Sequence, residues 1–474
     1  MKALKGILLV LLGTVLLFAY IAGGSLLAYR VQPTLTEEEK QELDGQNIWG
    51  DRTAEERAAV IEDNEKALEE RVCMIQHAKQ ELILSTFAFH ADNSGKVLIG
   101  ALLEAADQGV DVKILVDGFE SWTAMEWNPY FYALSSHPQV QIKVYNKANP
   151  LLPWKLMGRM HDKYLIADDS LYILGGRNSY DYFLGDFPTH KNFDRDVLVY
   201  CEQPDANSSI QDLKAYFSGI WEQKECKLYH DQTCLADQSS VKRAREDIEK
   251  NYAAYCAEEK EALQDTDYRV RTSKVDRIAL LHNPTGYASK KPELWYQLTS
   301  LMKSAEHSVK IHTPYIICND YMYDSLAEIA DQVDQVSIMT NSVGNNGNPF
   351  GGADYLENKD KILATGVDVW EYEGGTSYHG KSVLIDDHIA VVGSFNLDMR
   401  SVYLDTELML VIDSKEVAGM LGDAMDAYET KARKANPDGT YENPNHVEPR
   451  KISEKKQRQI ELIRKFGKNL RFLF

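Results

Sequence analysis

Residues 6–29 (GILLVLLGTVLLFAYIAGGSLLAY) form an unbroken apolar run without a charge, and at ~1.5 Å per residue a helix of that length crosses a bilayer. The run is longer than the about 7–15 apolar residues of a signal peptide and lacks a clear small-x-small cleavage site, so it predicts a retained anchor. Residues 30–70 turn polar and helix-favouring and read as a helical linker. Within them Thr53 and Glu56 have capping-box spacing, which predicts a charged helix running to about Lys79. Short apolar runs then alternate with helical periods: 81–89 predicts a buried strand, 94–109 a helix and 110–118 a strand. Strand, helix and strand return at 308–316, 321–333 and 336–342. Such alternation predicts α/β sandwich layers. A chain of 474 residues exceeds one ordinary core, so two domains are expected, at 71–225 and 271–430. Between them, residues 240–265 are highly charged with a narrow apolar face and predict a surface connector within 226–270.

Composition narrows the function. A net charge of −20 argues against a protein that coats nucleic acid, which needs a basic face. None of the six cysteines forms a CxxC pair or a zinc-finger spacing, so no structural metal is expected; Cys226 and Cys234 could bridge in an oxidising compartment or stay free. Lys2 and Lys5 precede the apolar run, whereas Arg30 is followed by Glu37, Glu38 and Glu39, which favours a cytoplasmic N-terminus with the bulk of the chain on the far side. The end of the 431–474 tail is a distinct basic element. From Arg450 to Phe474 it carries a net +7, against −27 for the remainder. Ile460, Ile463, Phe466, Leu470 and Phe474 recur there at helical spacing, the pattern of an amphipathic helix on an anionic bilayer. Leu151 to Met157 (LLPWKLM) is a second candidate for lipid contact.

The chemistry lies in a motif that occurs twice. His161-Asp-Lys163-x4-Asp168-x6-Gly175-Gly176-Arg-Asn178 is matched by His379-Gly-Lys381-x4-Asp386-x6-Gly393-Ser394-Phe-Asn396, every position displaced by 218 residues. One such match arises by chance in roughly one chain in ten thousand, so two in register carry meaning. HDKYLIA and HGKSVLI predict strands, in which residues two apart share a face, so each histidine projects with its lysine. Asp168 and Asp386 open turns, the glycines let the backbone approach, and Asn178 and Asn396 return polar side chains. Two imidazoles, two lysines and two asparagines suit a tetrahedral anion and need no metal to stabilise it. One histidine would attack phosphorus while the other protonates the leaving oxygen and later acts as base. Each needs an acceptor on its second nitrogen. Asp196, in RDVLVY, is expected to orient His161, and Glu407, in TELMLVI, to orient His379.

These residues resemble the phospholipase D superfamily, whose signature is this duplicated motif, over residues 72–412. The resemblance implies two α/β domains, each a mixed sheet flanked by helices, sharing one active site. It implies a cofactor-free phosphohistidine mechanism, and a hydrogen-bonding, non-proton-transferring role for Asp168 and Asp386. GSFNLDMRSVYLDTE (393–407), GGRNSYDYF (175–183) and TNS (340–342) with GVDVWEYE (366–373) are similar to bacterial cardiolipin synthases of the C-type branch. Such enzymes often carry Asn where Asp405 stands, and many have two membrane spans. What the resemblance implies is a bacterial membrane enzyme that moves a phosphatidyl group from phosphatidylglycerol to a second phospholipid. A phospholipid or nucleic-acid hydrolase and an inactive membrane scaffold are the alternatives; the net charge disfavours nucleic acid.

Overall fold

The structure, a computed structural model, describes residues 2–50, 55–230 and 233–473. Short runs of three to seven residues build two sheets with the same strand order. The first contains β1 (Glu56–Ile61), β2 (Glu81–Thr86), β3 (Asp111–Asp117), β4 (Val140–Tyr145), β5 (Tyr164–Ala167), β6 (Leu171–Gly175), β7 (Asp196–Cys201) and β8 (Cys226–Leu228). Their order is β1-β7-β6-β5-β2-β3-β4-β8, with Ser273–Lys274 outside β1. The second contains β9 (Arg277–His282), β10 (Ser308–His312), β11 (Gln335–Asn341), β12 (Asp368–Tyr372), β13 (Ser382–Ile385), β14 (Ile389–Gly393), β15 (Leu408–Asp413) and β16 (Ala432–Ala435). Its order is β9-β15-β14-β13-β10-β11-β12-β16, with Tyr441–Glu442 outside β16. Each strand of the first sheet thus has its counterpart eight labels later. In both halves three strands are parallel, β2-β3-β4 and β10-β11-β12, while the others run antiparallel. Parallel neighbours need crossovers, supplied by helix Asn93–Asp107 between β2 and β3 and helix Asp320–Gln332 between β10 and β11.

The halves share a core. Ala58, Tyr172 and Val199 of the first sheet are buried in one cluster with Ile278, Val392 and Leu410 of the second. Helix Ser209–Trp221 touches β9 and helix Lys415–Glu429 touches β1, so each half places a helix on the other's sheet. Each large apolar side chain buried there contributes about 1.5–3 kcal/mol to holding the two halves together.

Two expectations change and two are made specific. Glu56 opens β1, not a helix, because ERAAVI buries Ala58 and Ile61 on a sheet. The helix begins at Asn64, capped by Asp63, whose side chain accepts from the Glu65 and Lys66 amides, and Thr53 lies outside the described residues. The capping box is formed instead by Thr36 and Glu39. The charged 240–265 segment is mostly exposed between the halves, and its narrow apolar face is packed. Helix Ser239–Glu258 buries Val241, Ala244, Ile248 and Tyr252 against helix Asn93–Asp107, where a Cβ on Gly100 would meet Tyr252 Cβ at 2.5 Å. In the tail, the apolar stripe assigned to a bilayer packs on the second half. Helix Glu454–Phe466 lies on helix Pro349–Leu363, Ile460 is buried, and Arg464 and Arg471 pair with Glu357 and Asp354; Phe474 lies outside the described residues. Of the two readings open for Cys226 and Cys234, the structure has free thiols: Cys226 is buried with its sulfur against the Ile220 carbonyl at 3.1 Å, while Cys234 is exposed.

The apolar N-terminus is a helix, Lys2–Tyr29. Its residues 5–20 are exposed, whereas Tyr29 at its end is buried in the core of the second half.

Candidate active site

His161 and Lys163 sit in the extended approach to β5, and His379 and Lys381 in the approach to β13, two residues apart in each case and therefore on one face. Each lysine donates to the carbonyl oxygen of its own histidine. Asp168 and Asp386 lie at the other end of these strands, in the turns that follow, with φ of +54° and +49°. The Asp168 carboxylate accepts from the amides of Lys79, Gln80 and Glu81, and that of Asp386 from those of Glu306, His307 and Ser308. These aspartates close turns and do not reach the cleft. The candidate catalytic set therefore reduces to the two histidines and two lysines.

Both histidines open into one cleft of about 410 Å³ at the junction of the halves. Asn178 and Asn396 line it, and the side-chain oxygen of each is buried without a partner. The ring of Phe87 meets His161 edge-on at 5.0 Å, and that of Phe183 meets His379 at 5.1 Å. Arg400 and Asp405, bound to each other through two 2.9 Å hydrogen bonds, form part of the wall. The acids around the cleft are engaged by protein donors: Asp405 by Arg400, Asp398 by the Ser401 amide, and Glu407 by Ser394 and Ser401.

The orienting acids are crossed between halves. His161 Nδ1 lies 3.0 Å from Glu407 of the second half, and His379 Nδ1 lies 2.6 Å from Asp194 of the first. This overturns the expected pairing of Asp196 with His161 and Glu407 with His379. Asp196 instead accepts from Arg71 at 2.8 Å and pairs with Arg177 at 3.2 Å, wholly buried. Register explains the difference. Gly175 pairs with Asp196 and Gly393 with Met409, so the counterpart of Asp196 is Met409, and that of Glu407 is Asp194. The backbone crosses as well: the His161 amide donates to Thr406 Oγ1 (3.1 Å), the His379 amide to the Phe193 carbonyl (2.6 Å), and Ser377–Tyr378 pairs with Asn192–Phe193.

The electrostatics of the two histidines differ. Burial and the nearby Lys163 charge hold His161 well below its usual range. His379 is lowered to about 4 by burial and Lys381, a drop opposed by the charge and hydrogen bond of Asp194. Burial would raise Asp194, but Lys381 and His379 more than offset it and bring it to about 2. Glu407 is pushed up to about 8 by burial, which the charge of Lys163 and the two serine hydroxyls only partly oppose. The same desolvation lowers Lys163 to about 7 and Lys381 to about 8.

A sequence profile of the family described as "Cardiolipin synthase, PLD-like domain" matches residues 72–221 and 298–428, more than half of the chain and both motifs. The chain belongs to this family. Its relatives include cardiolipin synthase C of Escherichia coli, 23% identical over 398 residues that span 76% of this chain and 82% of the relative. Cardiolipin synthase 2 of Staphylococcus epidermidis is 23% identical over 373 residues, spanning 78% and 68%. A Helicobacter pylori protein of no stated activity is 25% identical over 404 residues, spanning 76% and 77%. The fold is that of the Haemophilus influenzae phosphatidylserine synthase crystal structure, with a TM-score of 0.63 at 14% identity over 92% of this chain and 100% of the other. The N-terminal helix, helix Ser239–Glu258 and the C-terminal helix fall outside the segments that define the cardiolipin synthase family match.

Proposed function

We propose that this family member is a membrane-bound phosphatidyltransferase of cardiolipin synthase type, working through a phosphohistidine. The observation that carries the reading is the convergence of His161 and His379, each with a crossed carboxylate on Nδ1, on one cleft that also holds two motif asparagines. With Nδ1 engaged, Nε2 of each imidazole is the nitrogen left for chemistry. His161 is the nucleophile. It is kept neutral, as attack requires, and its partner Glu407 is held close to neutrality. His379 is the acid and base, because ionised Asp194 stabilises the imidazolium that forms when a proton is taken up.

Nε2 of His161 attacks the phosphorus of phosphatidylglycerol. His379, lowered to about 4 and so neutral at rest, takes up a proton along with the anionic substrate and holds it as an imidazolium beside ionised Asp194. The bond to the glycerol oxygen then breaks and that proton passes to the oxygen, releasing glycerol. His379 then takes the proton from the hydroxyl of a second phospholipid. That oxygen attacks phosphorus, and the P–N bond to His161 breaks. Lys163, Lys381, Asn178 and Asn396 hold the phosphoryl oxygens, whose charge favours the protonated lysines. The exposed apolar helix is read as the anchor, with its N-terminus cytoplasmic and the catalytic body on the other side.

The full-length protein in phosphatidylglycerol vesicles, without added metal, tests this. Cardiolipin and glycerol are expected, and both disappear in His161→Asn and in His379→Asn. Phosphatidic acid with glycerol would make it a hydrolase, and absence of any product from this or other phospholipids would leave a scaffold.

A further inference from the structure

The N-terminal helix does not leave the body at its last residue. Tyr20 Oη donates to the Leu151 carbonyl at 2.9 Å, Ser25 Oγ to that of Pro153 at 3.0 Å, and Tyr29 Oη to that of Trp154 at 2.7 Å. A Cβ on Gly24 would meet Pro153 Cγ at 2.5 Å, so the loop and the helix touch backbone to ring. The 151–154 segment therefore lies along the helix, meeting the side chains of Tyr20, Ser25 and Tyr29 in turn.

A ~30 Å hydrocarbon core takes about 20 helical residues. Counted from Gly6, the first uncharged residue after Lys5, such a span ends near Ser25. Leu151, at the level of Tyr20, then lies inside the hydrocarbon boundary, and Trp154 at the headgroup level that indoles favour. Leu151 is 69% exposed and Trp154 41%, with no protein cover that would account for them.

The apolar face continues beyond the loop. Lys147 pairs with Glu126 at 2.8 Å, next to Trp127, which is 86% exposed and held at φ +64°. That left-handed backbone is unfavourable for a bulky residue, and no burial of the indole offsets it. Helix Gly118–Ala124 adds Phe119 and Trp122, rings 6.0 Å apart and both exposed. The acids on this face are paired, Glu126 with Lys147 and Glu120 with Arg159. Arg159 stacks on Phe119 (5.0 Å) and on Phe87 (4.9 Å), and Phe87 packs on His161. An unbroken series of side chains thus leads from this face to the cleft.

We infer that Phe119, Trp122, Trp127, Leu151 and Trp154 form a bilayer-inserted collar that presses the body against the membrane from which its substrate comes. The collar rests on the reading of the N-terminal helix as membrane-crossing. Single cysteines at Val10, Leu151, Trp127 and, as a distant control, Met420, in a Cys234→Ser background, would carry an environment-sensitive dye. The full-length protein would be reconstituted in vesicles of phosphatidylglycerol and phosphatidylethanolamine containing spin-labelled lipid. The expected result is quenching of at least twofold at 10, 151 and 127 and none at 420. Quenching at 10 without 151 and 127 overturns the collar and leaves the anchor standing. Quenching at 10 and 151 without 127 confines contact to the loop and overturns the wider face. No quenching at 10 removes the anchor reading and the collar with it.

Discussion

The two half-sites share one backbone plan and differ in how each acid is held. In the first, Gly176 leaves room for Asp194: a Cβ there would lie 2.1 Å from its Oδ1. In the second, Ser394 occupies the matching position and donates to Glu407 at 2.5 Å, joined by Ser401 at 2.6 Å. Asp194 is ionised, with its pKa brought down to about 2, whereas Glu407 is pushed up to about 8. A duplicated motif has thereby acquired two unlike imidazoles, one beside a firm negative charge and one beside a carboxyl that burial keeps near neutrality. In the mechanism proposed above, environment, not motif sequence, separates nucleophile from acid.

The two half-sites should separate most clearly at the histidines. His161→Asn and His379→Asn should each lower turnover by roughly 10⁴–10⁶-fold. With a diester whose leaving group needs no proton, only His379→Asn should still trap a phosphoenzyme. Trapping in His161→Asn would reverse the assignment. Next come the acids, where Asp194→Asn and Glu407→Gln should cost about 10²–10⁴-fold in kcat, with the larger loss at Asp194. Asp196→Asn is the discriminating control. It breaks a buried ion pair worth about 3–5 kcal/mol when one partner is removed, so Tm should fall while the folded fraction keeps its kcat. A pH profile shifted by Asp196→Asn would restore the uncrossed pairing.

The lysines set an alkaline limb. Burial lowers Lys163 to about 7 and Lys381 to about 8, so raising the pH through that window strips positive charge from the cleft. The kcat/KM for a soluble diester should fall about tenfold per pH unit above it. Lys163→Arg, whose guanidinium does not titrate there, should move the limb upward; a flat profile to pH 9.5 would contradict this account. The smallest effect is expected at Ser394→Ala, which loses one hydrogen bond of about 1 kcal/mol, roughly fivefold. Gly176→Ala must displace Asp194 and should approach the loss seen in Asp194→Asn. Equal effects of the two alanines would erase the asymmetry.

Much of this was legible in the residues. The 218-residue offset brought His161, Lys163, Asn178, His379, Lys381 and Asn396 to notice, and alternating apolar runs predicted both α/β layers. Three things resisted, for physical reasons. Asp194 and Asp196 are both acids at the start of one strand, and only the register of Gly175 against β7 tells them apart. Crossing between halves is a tertiary fact that no local period encodes. The amphipathic stripes of helices Ser239–Glu258 and Glu454–Phe466 were visible, but a stripe does not say whether it meets protein or lipid. Both met protein, and Ile460 is buried as Val241 and Ile248 are. Phe87, whose ring flanks His161, carried no signal beyond being an apolar residue at a strand end, and Phe183, which flanks His379, was visible only as part of GGRNSYDYF.

The crossing also bears on how the protein is made. His161 waits for a partner 246 residues further along the chain. At the usual 5–20 residues per second that is a delay of roughly 12–50 s after the imidazole itself is synthesised. In the proposed mechanism the growing chain therefore passes its longest stage without the carboxyl that orients its nucleophile, and a chain that stops before Glu407 lacks that half-site.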